Sequence, residues 1–303
     1  MADIAAGIAH LKAEKKAVIL AHNYQLPEVQ DLADHLGDSL GLSIQATKTD
    51  AKVIIFCGVD FMAETAAVLN PGKIVIHPAP EAMCPMSMMI DAANVRDLKK
   101  QHPGAPVIAY VNTSAEVKAE SDICCTSSNA VKVVQSLPDR EVIFIPDTNL
   151  GLYVQRFVKD KLIHLWPGYC PTHQQITKED LLRLKQAHPR AIAIVHPECV
   201  PEVIDVADKA FSTEGLIGFI KSSGEKEFII GTEGGLIHRL KKIAPDKIYY
   251  EMPHAVCPTM KKITPAHILR SLQTLEPRVV IEKAIMDKAR GPIERMVNMG
   301  RGD

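Results

Sequence analysis

Short apolar runs without internal alternation recur along the chain, and three of them open segments that can be laid over one another. They are "AVIL" at 17–20, "PVIAY" at 106–110 and "AIAIV" at 191–195. A strand with one wet face alternates polar and apolar residues, whereas an unbroken run of this length suits a strand covered on both faces, as in a parallel sheet. Second runs follow at "KVIIFC" (52–57), "EVIFIP" (141–146) and "EFIIGT" (227–232). Third runs follow at "KIVIHP" (73–78), "KLIHLWP" (161–167) and "KIYYEMP" (247–253). Between them, stretches such as "EVQDLADHL" (28–36) and "FMAETAAVL" (61–69) carry apolar residues at helical spacing. Each segment predicts β-α-β-α-β.

Other columns keep the same step. Glu28, Glu116 and Glu202 are each followed by valine, and Asp34, Asp122 and Asp208 stand six residues further on. The third run leads each time to Cys-Pro, with Cys84, Cys170 and Cys257 spaced 86 (170 − 84) and 87 (257 − 170) residues apart. A step shared by unrelated residue types marks internal repetition. The fold predicted is α/β: three pseudo-symmetric repeats of a small αβα sandwich around a central metal cluster. The first unit takes residues 1–84 with a helical tail, 258–303, packed back on it; the second takes 85–170 and the third 171–257. The tail is predicted to turn helical at Thr264, as N-cap, with Pro265 in the first helical position.

Composition narrows the function classes. The chain has 303 residues, 47% hydrophobic and 23% charged, with a net charge of −1, so it lacks the basic footprint of a nucleic-acid binder. Its longest apolar runs fall far short of the roughly 20 residues that cross a bilayer. Residues 1–16 lack the charged, apolar and small-residue regions of a signal peptide. An odd cysteine count of 7 does not describe a disulfide scaffold. It fits a reducing, cytoplasmic setting in which cysteines bind metal or do chemistry.

Ligands of open α/β sheets bind beyond the carboxyl ends of the strands. There the first runs end in His22-Asn23-Tyr24, Tyr110-Val111-Asn112 and His196-Pro197-Glu198, all rich in donors, acceptors and proton-transfer groups. A hydroxyl column, Ser39, Ser127 and Thr213, lies five residues past the repeat aspartates. It is read either as N-caps of second helices or as anion contacts at their free N–H groups. Three-fold packing brings these groups and the three Cys-Pro turns to one axis, and three thiols on one axis point to a metal. Zinc is one candidate, with His173 joining Cys170 as a fourth ligand. An iron–sulfur cluster held by isolated cysteines is the other, and three ligands would leave one iron open as a Lewis acid. Cys57, in a strand, and Cys124, Cys125 and Cys199 read as small buried hydrophobes, with Cys124 and Cys125 expected in a helical segment. Neither G-x-G-x-x-G nor a P-loop occurs, and "GTEGG" at 231–235 reads as a flexible strand-to-helix turn.

The motifs "AHNYQLPEVQDLAD", "YVNTSAEVKAESDICCTSSNA", "PDTNLG", "GYCPTH", "HPEC" and "MPHAVCPTM" together resemble the quinolinate synthase family over essentially the whole chain. The resemblance implies a cytosolic enzyme of NAD biosynthesis with three pseudo-symmetric αβα domains. It implies a transferase-type dehydrating condensation of iminoaspartate (iminosuccinate) with dihydroxyacetone phosphate to quinolinate, with release of phosphate and water. It implies a [4Fe-4S] cluster on Cys84, Cys170 and Cys257, its open iron serving in dehydration. Carried over by motif, the pocket takes His22 and Ser39 from the first unit, Tyr110, Asn112 and Ser127 from the second, and His196, Glu198 and Thr213 from the third. Catalytic roles are implied for His22, Tyr24, Tyr110, His196 and Glu198. The expected partners are these small molecules and the enzyme that supplies iminoaspartate. Glu214 stands where the family has a small residue. The rival readings are a diphthamide-type radical enzyme, which shares three cysteines on three repeats, and a zinc-stabilised binding protein.

Overall fold

The computed structural model describes residues 2–303. Twelve strands form three separate four-stranded sheets. The first contains β1 (Ala17–His22), β2 (His35–Gly37), β3 (Val53–Cys57) and β4 (Ile74–Ile76), in the order β2-β1-β3-β4. The second contains β5 (Val107–Tyr110), β6 (Ile123–Cys125), β7 (Glu141–Ile145) and β8 (Leu162–Leu165), in the order β6-β5-β7-β8. The third contains β9 (Ile192–Val195), β10 (Lys209–Ala210), β11 (Glu227–Gly231) and β12 (Ile248–Glu251), in the order β10-β9-β11-β12. Every pairing within the sheets is parallel. The first and second runs are strands covered on both faces, with neighbouring residues facing opposite layers, whereas the third runs of the second and third units, β8 and β12, are partly exposed edge strands. Leu20, Ile54, Ile108, Phe144, Phe228 and Ile230 belong to one core that draws on all three sheets. Ile19 and Ile55 instead pack with helix residues Ile8, Ile268 and Leu272, while Val195 and Ile229 pack with Leu181 and Val203.

The structure corrects the reading of three strands per unit. Each sheet has a fourth, very short edge strand in a stretch expected to be helical, and Cys124 and Cys125 lie in β6, not in a helix. The helix before it spans only Pro27–Gln30, Ala115–Ala119 or Pro201–Val206. The repeat aspartates explain the switch. Asp34, Asp122 and Asp208 each donate their own N–H, at 2.9 Å, to the carbonyl of Ile19, Val107 and Ala193. Each then accepts the N–H of that same residue on its side chain, at 2.8 Å. This two-bond clamp on the central strand stops the helix and starts an edge strand too short to show a period.

The second helices are Ser39–Lys48, Ala130–Ser136 and Thr213–Ser222. Their caps are not the hydroxyl column. Asp38 and Ser212 accept the N–H of Gly41 and Gly215, so Ser39 and Thr213 occupy the first helical position with side chains unused by capping. Ser127 precedes its helix by a turn. In the tail, Thr264 caps helix Pro265–Thr274 by accepting from His267 N, with Pro265 at its start, as expected. That helix packs on helix Ala2–Glu14. The last helix, Lys283–Met299, lies against helix Asp60–Leu69 of the first sheet layer and against β6 and helix Ala115–Ala119 of the second. Among the described residues no helix is long and apolar enough to cross a membrane.

Candidate active site

The carboxyl ends of β1, β5 and β9 turn toward one enclosed cavity. Every sequence-predicted site residue lines it: His22, Tyr24, Ser39, Cys84, Tyr110, Asn112, Ser127, Cys170, His196, Glu198, Thr213 and Cys257. Asp38, Thr126, Thr172, His173 and Thr259 complete the polar wall, while Val59, Phe61, Met62 and Met260 make the apolar one. Asn23 points elsewhere. Its amide donates to Thr213 Oγ1 (3.4 Å) and Glu214 Oε1 (3.1 Å), and its carbonyl oxygen accepts from Arg239 at 2.5 Å. Glu214 also pairs with Arg239. Glu214 therefore helps bind the first unit's strand end to the third unit.

The two strand-end histidines are built alike. The N–H of Tyr24 donates to His22 Nδ1 (3.2 Å), and the N–H of Glu198 donates to His196 Nδ1 (3.3 Å). With Nδ1 accepting, the ring proton of each neutral imidazole sits on Nε2. His196 uses it toward Ser127 Oγ at 3.1 Å. Burial lowers the pKa of His22 to about 4, against the attraction of Asp38 and Glu198. Burial likewise lowers that of His196 to about 3. Both are neutral donors at physiological pH.

Glu198 is the hub. It is buried, accepts the hydroxyl of Tyr110, and lies 2.6 Å from His173 Nδ1 and 3.5 Å from His196 Nδ1. Burial alone would raise its pKa; His173 and the hydrogen bonds from His173 Nδ1–H and the Tyr110 hydroxyl more than offset that and hold it below the ordinary carboxylate range. His173 Nε2 contacts Thr232 Oγ1 at 2.8 Å, and Tyr24 Oη contacts the same oxygen at 2.6 Å. One direction satisfies every donor: Tyr24 O–H to Thr232, Thr232 O–H to His173 Nε2, and His173 Nδ1–H to Glu198. Burial pushes the phenols of Tyr24 and Tyr110 up, so both stay protonated. Asn112 Oδ1 is buried without a hydrogen-bond partner.

The backbone that carries these groups is held from below. Gln30 donates to the carbonyls of Asn23 and Gln25 and, across units, to Gly235, while Lys261 donates to Tyr24 O at 2.6 Å. Thr113 donates to Tyr110 O at 3.0 Å, and the fully buried Lys118 donates to Thr113 O.

No cysteine is in a disulfide; Cys84, Cys170 and Cys257 are partly exposed, and the other four are buried. Burial pushes the thiols of Cys84 and Cys170 up; Cys257 adds to this at Cys84, and Glu198 and then Cys84 at Cys170. His173 Nδ1 lies 3.2 Å from Cys170 Sγ. Three cysteine thiols on one cavity fit a bound metal centre, whose positive charge stabilises thiolates. Cys170, His173 and Glu198 also bring ligand-type atoms within 4.8 Å of one another. His173, however, has protein partners on both nitrogens.

Sequence reasoning missed Thr232 and the hub role of His173. Thr232 lies in "GTEGG", which is a strand-to-helix turn but not a loose one, for Thr232 and Glu233 are fully buried. Its only sequence signal was a hydroxyl between a buried strand and a glutamate.

Three parallel α/β units that turn acid–base groups, hydroxyls and thiols onto one enclosed cavity define an enzyme whose site exists only at the junction of its repeats. The model of the quinolinate synthetase A protein family matches residues 6–298, and the chain belongs to that family. It is 52% identical to a quinolinate synthase of Dehalococcoides mccartyi over 293 residues, 96% of this chain and 97% of the relative. It is 52% identical to a quinolinate synthase of Methanoregula boonei over 291 residues, covering 96% of each. Quinolinate synthase 1 of Methanosarcina acetivorans is 50% identical over 297 residues, 98% of this chain and 97% of the relative.

Proposed function

We propose that this protein is a cytoplasmic quinolinate synthase of NAD biosynthesis, condensing iminoaspartate with dihydroxyacetone phosphate to quinolinate with release of phosphate and water. The reading is carried by one observation: strand-end, hydroxyl and cysteine candidates from all three repeats line a single cavity with Glu198 at its hydrogen-bonded centre. Cys84, Cys170 and Cys257 hold a [4Fe-4S] cluster. When bound, the cluster supplies a Lewis acid at the iron that no cysteine ligates.

The chain's own groups do the rest. The substrates carry two carboxylates and a phosphate. Ser39 and Thr213 offer hydroxyls beside the free N–H groups at the starts of two ten-residue helices, where the dipole favours anions. Neutral His22 adds an Nε2–H donor without adding charge, His196 lines the pocket with its Nε2–H on Ser127, and Asn112 orients a donor-bearing group. Glu198, the buried anion, takes a proton from substrate carbon or hydroxyl, and protonated Tyr24 returns one to a leaving oxygen. The Tyr24–Thr232–His173–Glu198 chain of hydrogen bonds holds the acid and the base in fixed positions relative to each other. Tyr110 holds Glu198 in place, and Ser127 does the same for His196.

The test is anaerobic reconstitution with iron and sulfide, followed by an assay for quinolinate from freshly generated iminoaspartate and dihydroxyacetone phosphate. A brown protein that forms quinolinate is expected. A loaded protein that forms none overturns the reaction, and a colourless protein holding only zinc overturns the cluster.

A further inference from the structure

A carboxylate sits beneath each cysteine turn. Asp60 Oδ1 accepts the backbone N–H of Cys84 at 2.9 Å, and Glu233 Oε1 accepts that of Cys257 at 3.3 Å. Both bonds span 24 residues. Asp147 takes the equivalent place 23 residues (170 − 147) before Cys170. It makes no hydrogen bond to the Cys170 N–H: Asp147 Oδ1 accepts from Leu150 N at 3.0 Å, and Oδ2 is buried with no hydrogen-bond partner. The three acids follow β3, β7 and β11 and step by 87 (147 − 60) and 86 (233 − 147) residues, in register with the cysteines.

We propose that Asp60 and Glu233 are positioning residues for the metal centre, each fixing its unit's cysteine turn through the main chain, while Asp147 holds the corresponding place in the second unit without that bond. The inference rests on the cluster reading above. A thiol that ligates from an exposed turn needs that turn held against solvent motion, and these turns are exposed at their edges. Met83, Tyr169 and Val256, the residues before each cysteine, are all exposed. In the third unit the turn also contains His254 at φ 61, a left-handed conformation that a non-glycine residue keeps only when its surroundings enforce it. An N–H bonded to a side chain on the inner strand's end ties the ligand to the most rigid part of its unit. Glu233 does more. It pairs with Lys261 at 2.7 Å, and Lys261 donates to Tyr24 O, so the third unit's cysteine turn is joined to the first unit's proton donor. Supports of this kind commonly change metal affinity by about 10- to 100-fold.

The experiment measures iron release to a chelator from anaerobically reconstituted protein, with the electron paramagnetic resonance signal of the reduced cluster as a second readout. Asp60→Ala and Glu233→Ala should release iron at least about 10-fold faster than wild type and alter the signal, while Asp147→Ala has a smaller effect. Asp60→Asn keeps an acceptor oxygen and should restore near-wild-type retention, whereas Glu233→Gln, which loses the Lys261 ion pair and sets its NH2 against an N–H donor, should restore it only in part. Asp122→Ala breaks a backbone clamp remote from the cysteines; it should lower the melting temperature without hastening iron loss. Iron loss that merely follows melting temperature across all these variants overturns the proposal, as does unchanged retention in Asp60→Ala. A wild-type protein that takes up no iron and sulfide instead removes the cluster reading itself.

Discussion

At the residue scale, the site depends on burial that is balanced for one group and left unbalanced for others. Glu198 keeps its charge because His173 and Tyr110 donate hydrogen bonds to it. Glu198→Gln preserves the shape but removes the base. Turnover should fall by at least about 100-fold while iron and sulfide content stays normal, and near-normal steady-state rates would exclude a proton-transfer role. His22 shows the opposite case. Its folded pKa of about 4 lies below the unfolded value, so the unfolded chain takes the proton first. Its contribution is fully present above about pH 6.5 and is lost as pH falls toward 4. Between pH 6.5 and 5 this amounts to on the order of 2 kcal/mol. Urea unfolding of the metal-free protein should show that loss, reduced in His22→Gln. Equal pH dependence in the two proteins would contradict a buried neutral imidazole. The three cysteines were readable at this scale because proline follows each one at a constant step. The hub was not, because Tyr24 and Thr232 meet across 208 residues of chain.

At the element scale, the short edge strands show why periodicity fails. A helix of four to six residues followed by a strand of two or three shows neither a 3.6-residue nor a 2-residue period. What defines them is a side-chain bond, recurring at the same 15-residue separation in all three units. The aspartate column was visible in the sequence, but its purpose was not. Replacing Asp122 by Ala leaves Val107 N–H without its side-chain acceptor, with an expected cost of about 1–3 kcal/mol. A chemical-denaturation midpoint unchanged from wild type would show that the clamp does not hold the sheet. The hydroxyl column allowed two readings in the sequence, caps or anion contacts, for a related reason. Ser39 and Thr213 look like caps in the sequence, yet the residue before each one caps, leaving both hydroxyls to face the cavity.

At the scale of the whole molecule, no unit contains a complete site. Ser127 and Tyr110 of the second sheet meet His196 and Glu198 of the third, and Tyr24 of the first reaches Thr232 of the third. Removing any one of Cys84, Cys170 or Cys257 with alanine should therefore abolish cluster binding and quinolinate formation together while circular dichroism stays native. Normal iron and sulfide in any of the three would remove that cysteine from the ligand set. The repeat, the parallel strands and the residue types at the strand ends were legible in the linear order, since each depends on spacing within one unit. Which hydroxyls cap and which face the cavity, the bridge from Tyr24 to Glu198 and the acids beneath the cysteines were decided only by packing. Those contacts join residues brought together by tertiary folding, and a local pattern carries no record of such distances.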